Sequence, residues 1–182
     1  AEISDLAFPK ESYTGALNWL NEVTSQDGTF KVGYNARGTG KVFVPGKNDN
    51  FVYHPTMAAI SVVSRIFMGQ QQTEPAMAAV HQLVADLPEW KENHVDFYYW
   101  YYGALALYQY DGPEGPLWKK WNEAMKTALI PHQKPPKDGC RNGSWDPEEE
   151  RWGAEGGRVY TTAIGALILE TYYRYAMIWG KK

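Results

Sequence analysis

The chain has 182 residues, a formal net charge of −3 and an aromatic content of 15%. This length is sufficient for one domain with its own hydrophobic core, and the lack of a basic excess argues against nucleic acid as a partner. The single cysteine excludes an intramolecular disulfide and a multi-thiolate metal site. No uninterrupted apolar run has the length of a transmembrane helix. We therefore predict one domain over residues 1–182, with no membrane span and no nucleic-acid surface.

The N-terminal part combines one amphipathic helix with a long loop. Residues 12–24 place their apolar side chains near one face at helical spacing, and Ser12 fits an N-cap. Residues 29–53 are rich in Gly and Lys, and they are long for a connection inside a compact domain. Two short alternating runs in this loop, 41–44 and 51–53, flank a turn, which predicts a short β-hairpin.

Three later segments have the composition of helices that are apolar on all sides. They are residues 53–69, 96–111 and 158–175. Each contains a motif in which a Tyr or Thr stands beside small residues, and the motifs beginning at Thr56, Tyr102 and Thr162 fall in register when the segments are aligned. A repeat of roughly 50 residues of this kind predicts stacked helical hairpins.

Amphipathic helices are predicted between the buried ones. The segment 74–87 carries a first-turn proline, and 115–129 follows a Gly-Pro break in the chain. A polar loop rich in Pro and Gly, 131–157, precedes the last buried helix. With 12–24 as the first outer helix, outer and inner helices alternate in three hairpins.

Several short motifs resemble the repeat of squalene–hopene cyclases and protein prenyltransferases. Trp19-Leu20 is followed by the turn Asp27-Gly28-Thr29-Phe30, which is similar to the aromatic-Leu pair and Asp-Gly-x-aromatic turn of those repeats. The tail is similar to bacterial prenyltransferase/squalene-oxidase-repeat proteins. Its matching stretches are 143–147, 156–163 and 172–175.

This resemblance implies an all-α, α/α-toroid-like fold in which inner helices line a central cavity. A full toroid uses about six hairpins, so three hairpins form a partial toroid, which a homodimer or a larger parent chain would complete. The resemblance also favours an exported or periplasmic protein.

The resemblance implies two kinds of catalytic site to look for, a zinc site and an acidic motif. Asp138-Gly139-Cys140 resembles the Asp-x-Cys pair that helps to hold zinc in prenyltransferases, but no His follows Cys140. We expect a turn with a buried thiol instead. The Asp-rich string with which cyclases protonate an alkene is missing. Its nearest counterpart, Asp146 with Glu148–Glu150, is predicted to be a solvated turn, and Asp96 to be an N-cap.

Glycan hydrolysis by two carboxylates also occurs on α/α toroids and stays open as a fold-level analogy. The available carboxylates are Asp96, Asp146, Glu155 and Glu170. Their separation along the chain does not place them relative to one another.

The aromatic run 97–102 is the best candidate for a ligand site. Aromatic faces stabilise carbocations, stack on sugars or fill space, and those that line a concave face would bind a ligand. The residues that we predict to bind a ligand are Phe97, Tyr98, Tyr101, Tyr102, Tyr108, Trp145 and Tyr160. We assign no catalytic residue, no metal ligand and no cofactor.

We therefore predict a non-catalytic binding or assembly module. Its aromatic-lined concave face would take an apolar, isoprenoid-like or glycan ligand, or a protein partner. The alternative is a terpenoid cyclase- or prenyltransferase-like enzyme that a second chain or domain completes. A third interpretation is association through edge helices, because open repeat arrays expose apolar ends.

Overall fold

The computed structural model of the protein describes residues 9–38 and 44–174, which are predominantly helical. The α-helices are α1 Glu11–Val23, α2 Thr56–Phe67, α3 Glu74–Ala85, α4 Phe97–Asp111, α5 Pro116–Leu129, α6 Gly153–Leu169 and α7 Thr171–Arg174. Short 3-10 helices cover Ile130–His132, Pro136–Arg141 and Pro147–Glu149. The all-α class predicted from the sequence is therefore confirmed. In the described ranges, no helix has the length and apolar character needed to cross a bilayer.

The predicted β-hairpin is not confirmed. Its first strand falls mainly on residues 41–43, which lie outside the described residues, and residues 44–53 form turns and bends. Asn48 organises this segment, since its Oδ1 accepts from the backbone N–H of Val44 at 2.8 Å and its Nδ2 donates to the carbonyl of Arg151 at 3.3 Å. Among the described residues, an isolated antiparallel bridge joins Thr24 to Val32.

Helix α4 lies at the centre of the packing. It contacts α2, α5 and α6, while α3 packs mainly on α2. Its buried residues face all directions, as the apolar composition of this segment predicts. Gly103 permits the close approach of α5, because a Cβ at this position would overlap the indole ring of Trp121. Gly103, a small residue of the repeated motif, therefore makes room for a buried indole.

Helix α6 differs from the predicted all-round apolar helix of 158–175. It starts earlier, at Gly153, and Gly157 interrupts the helical geometry with φ 64° and ψ −171°, a conformation that glycine adopts without strain. Val159, directly after this break, is 84% exposed, so one face of α6 is open to solvent. The helix ends at Leu169, and a separate short helix, α7, follows.

The start of α1 also differs from the prediction. Lys10, rather than Ser12, occupies the N-cap position, and it makes no side-chain capping bond. By contrast, Asp96 caps α4 as predicted, because its Oδ1 accepts from the backbone N–H of Tyr99 at 3.0 Å. Helix α1 is tied to α2 by Arg65, whose Nη2 donates to Oδ1 of Asn21 at 3.0 Å.

Candidate functional site

A cavity of about 510 Å³ lies beside the N-terminal ends of α2, α4 and α6. Helix α2 contributes apolar side chains, α4 contributes its first turn, and two loops complete the wall. The lining residues are Tyr34, Tyr53, His54, Thr56, Met57, Ile60, Asp96, Tyr98, Arg151, Trp152, Glu155, Gly156 and Tyr160. This volume falls within the usual range of small-molecule sites.

Aromatic side chains dominate the cavity wall. Tyr34 and Tyr53 are 50% and 55% exposed, and Tyr98 is 37% exposed, so these three tyrosines border the open side. Trp152 and Tyr160 are half-buried. Rings that are held by the fold yet remain accessible on one side can cover an apolar ligand.

A buried ion pair joins the start of α4 to the turn before α6. Asp96 is 1% exposed, and its Oδ2 lies 3.4 Å from Nη1 of Arg151, which also donates to the carbonyl of Val52 at 2.9 Å. Burial raises the pKa of the Asp96 carboxyl, while the N–H of Tyr99 and the charge of Arg151 oppose that rise. The pair therefore anchors the loop that carries Tyr53 to the rest of the wall.

Glu150 is a second buried carboxyl in the same region, although its sequence context predicts an exposed side chain. We expected 148–150 to be a solvated turn; Glu148 and Glu149 are exposed, but Glu150 is 2% exposed. Its two oxygens accept from the N–H of Phe97 at 3.0 Å and of Trp152 at 2.8 Å. Burial, and next the charge of Asp96, raise the pKa of Glu150 to about 8 despite these hydrogen bonds.

His54 lines the cavity with both ring nitrogens engaged. Its Nδ1 lies 2.8 Å from Oδ2 of Asp86, and its Nε2 lies 3.0 Å from the carbonyl of His94. Burial lowers the pKa of His54, but the hydrogen bond and charge of Asp86 outweigh burial and raise it above the ordinary value. Two acceptors suit the imidazolium form. The ring also stacks on Tyr99, with centroids 4.7 Å apart.

The hydroxyl of Tyr160 is buried, and it finds no hydrogen-bond partner within the described part of the chain. Burial, followed by the charges of Glu150 and Asp96, raises its pKa. Because this oxygen is inaccessible, the ring of Tyr160 rather than its hydroxyl borders the cavity. Burial and the neighbouring Tyr102 raise the pKa of Tyr98 to about 12, so both phenols are neutral at physiological pH.

Of the seven residues predicted to bind a ligand, some line the cavity and the others lie in or against the hydrophobic core. Tyr98 and Tyr160 line the cavity. Tyr101 and Tyr102 are half-buried and pack against the core, with their rings 5.2 Å apart. Phe97, Tyr108 and Trp145 lie in the core itself, at 0%, 6% and 1% exposure. Ligand binding by these residues stays a prediction.

Several cavity residues were not predicted because they belong to loops. Tyr34, Tyr53 and Trp152 are distant in sequence, and hydrophobic periodicity does not report which loop side chains meet. The signal that could have indicated them is the presence of large aromatic residues in otherwise polar loops, since such residues are seldom placed where they face only solvent.

The four carboxylates considered for glycan hydrolysis are dispersed. Asp96 and Glu155 line the same cavity. Asp146 pairs with Lys134 and Arg158 at another place, and Glu170 is exposed beside Arg174.

The Asp138-Gly139-Cys140 segment lies in a 3-10 helix, and Cys140 is exposed, so the expected buried thiol is wrong. Among the residues that the structure describes, no group of three or more His, Cys, Asp or Glu side chains is arranged to hold a metal ion.

Comparison of the chain with protein-family models, with curated proteins and with solved structures finds no match.

Proposed function

We propose that this domain is a non-catalytic binding module whose cavity holds a small, largely apolar molecule. The observation that carries the proposal is a cavity of about 510 Å³ bordered by five aromatic side chains. Met57 and Ile60 of α2 add aliphatic surface between them. Such a wall favours an apolar or isoprenoid-like ligand over a glycan, because sugar hydroxyls need more accessible polar partners than this wall offers.

The carboxyl groups near the cavity support a binding function better than they support the enzyme alternative. A proton-donating acid must present its hydroxyl to the substrate. Asp96 is occupied by Arg151 and by the N–H of Tyr99, and Glu150 uses both oxygens to accept backbone N–H groups. Both carboxyl groups therefore stabilise the fold through these contacts, which favours a binding function over catalysis.

We further propose that the three hairpins form part of an α/α toroid. The contacts of α4 with both α2 and α6 support this arrangement, because inner helices of a toroid are neighbours around the ring. A second copy, a further domain or a protein partner would then extend the array. Light scattering at several protein concentrations tests the homodimer: a concentration-independent monomer mass would contradict it.

The cavity proposal is tested by filling the cavity from α2. N-phenyl-1-naphthylamine, a neutral probe whose fluorescence rises in apolar surroundings, should bind the wild-type protein. Met57→Trp places an indole in the cavity and should weaken binding about tenfold or more, since the probe loses its apolar contacts.

Met77→Trp is the matched control. Met77 lies on α3, is 38% exposed and does not line the cavity, so the added tryptophan should leave probe binding unchanged. Equal binding by both variants, or no fluorescence rise with the wild-type protein, would contradict the proposal.

A further inference from the structure

Each charged side chain of the cavity wall already has an opposite charge beside it. Asp96 lies 3.4 Å from Arg151, and both belong to the wall. His54 lies 2.8 Å from Asp86. Glu155, the remaining carboxylate of the wall, forms an ion pair with Lys47. The cavity therefore presents no uncompensated formal charge to a ligand.

The tyrosines of the wall do not change this balance. The pKa of Tyr98 is about 12, and that of Tyr160 is also raised, so neither becomes anionic near neutral pH. A charged group that leaves water for such a cavity would lose its hydration without gaining a counter-charge. A neutral molecule pays no such cost.

The Lys47–Glu155 pair is more accessible to solvent than the Arg151–Asp96 pair. The side chains are 48% and 45% exposed, whereas those of Arg151 and Asp96 are 7% and 2% exposed. Lys47 belongs to the same turn segment, 44–53, that supplies Tyr53 to the open side of the cavity. Glu155 lines the cavity, so this pair sets the charge at the part of the wall that is open to solvent.

We propose that the cavity selects uncharged ligands. The Lys47–Glu155 ion pair enforces this selection because it leaves no net charge at the solvent-exposed part of the cavity wall. The inference rests on the proposed function, and it narrows the ligand class to neutral, largely apolar molecules with at most hydroxyl, ether or carbonyl groups. Phosphate esters, carboxylates and organic ammonium ions are excluded ligands.

Four probes of one shape test this selectivity: naphthalene, 2-naphthol, 2-naphthoate and 2-naphthylmethylammonium. Isothermal titration calorimetry at low ionic strength, near neutral pH, reports their affinities. Naphthalene and 2-naphthol should bind the wild-type protein about tenfold more tightly than either ion, because each ion must be desolvated without compensation.

Charge-removing variants identify the residues responsible. Lys47→Gln leaves Glu155 uncompensated and should strengthen binding of the ammonium probe about fivefold, and Glu155→Gln should do the same for 2-naphthoate. Binding of naphthalene should change less than about twofold in both. Lys119→Gln and Glu114→Gln, which break an exposed ion pair remote from the cavity wall, are the controls and should alter no affinity.

The possible results separate the two proposals. Failure of naphthalene and 2-naphthol to bind the wild-type protein would overturn both the cavity function and its selectivity. Binding of naphthalene with equal or tighter binding of an ion would overturn the selectivity alone. The selectivity would also be overturned if Lys47→Gln and Glu155→Gln left all probe affinities unchanged, as the control variants should.

Discussion

Glu150 shows how far a single residue can depart from what its neighbours in sequence indicate. A run of three glutamates after Asp-Pro predicts solvation, and two of the three are exposed. The third is turned inward, where it joins the start of α4 to the turn before α6 through two backbone hydrogen bonds. Sequence alone gives no reason to choose one of three identical side chains, because the choice depends on which backbone N–H groups the folded chain brings nearby.

The raised pKa of Glu150 predicts a pH dependence of stability. Its folded-state pKa of about 8 lies above the ordinary value of 4.5, so the folded state binds more protons than the unfolded state between these limits. Stability should therefore fall as the pH rises from 5 to 8. Glu150→Gln should remove part of this fall, on the order of 2 kcal/mol, in urea unfolding series across that range.

His54 also contributes to the decrease in stability with rising pH, because its pKa is higher in the folded state than the unfolded value of 6.5. Its stabilising contribution is present below pH 6.5 and is lost as the pH rises through the folded-state pKa. This part should persist in Glu150→Gln. The exposed neighbour provides the control, and Glu148→Gln should keep the wild-type profile. Identical pH profiles for the wild-type protein and Glu150→Gln would show that this carboxyl titrates normally in the fold.

Tyr160 gives a second prediction at this scale. Its buried hydroxyl finds no partner among the described residues, so Tyr160→Phe should raise the free energy of unfolding by about 1 kcal/mol. Tyr99→Phe is the contrasting variant, because the Tyr99 hydroxyl donates to the carbonyl of Asp86 at 2.6 Å and its loss should be destabilising by about 1 kcal/mol or more. Denaturant titrations measure both; destabilisation by Tyr160→Phe would contradict the assignment of an unpaired hydroxyl.

At the scale of elements, the hydrophobic periodicity predicted the six long helices to within a few residues at most ends. The exception is α6, where the sequence pattern of 158–175 missed the preceding turn, the break at Gly157 and the division from α7. Periodicity reports which face is apolar, whereas such a break depends on backbone conformations that neighbouring elements impose. The same reason accounts for Tyr34, a loop residue that reaches the cavity without any periodic pattern. Tyr53 belongs to the alternating run 51–53, but this run forms no strand.

The fit of α5 against α4 gives a prediction for the repeated motif. A Cβ on Gly103 would overlap Trp121, whose indole is fully buried, so Gly103→Ala should be destabilising by about 2 kcal/mol through overpacking. Gly15→Ala in α1 is the control, because open space surrounds this position and alanine favours the helix by about 0.5–1 kcal/mol. Thermal unfolding compares the two; tolerance of alanine at Gly103 would mean that α4 and α5 can separate without cost.

At the scale of the whole molecule, the cavity is assembled from parts of the chain that lie far apart. Helix α2 supplies Met57 and Ile60, α4 supplies Tyr98, and the turn before α6 supplies Trp152. The sequence predicted the aromatic run of α4 as a ligand face, but α4 packs against several helices, and much of the run is core. The site therefore follows from the arrangement of the elements rather than from any one motif.

Intermolecular NOEs between naphthalene and the methyl groups of the protein locate a bound ligand directly. We expect NOEs to the methyl groups of Met57 and Ile60, because both line the cavity. Met77 and Ile130 are exposed apolar side chains that do not line it. NOEs confined to these two residues would place the ligand on the outer surface and contradict a binding function for the cavity.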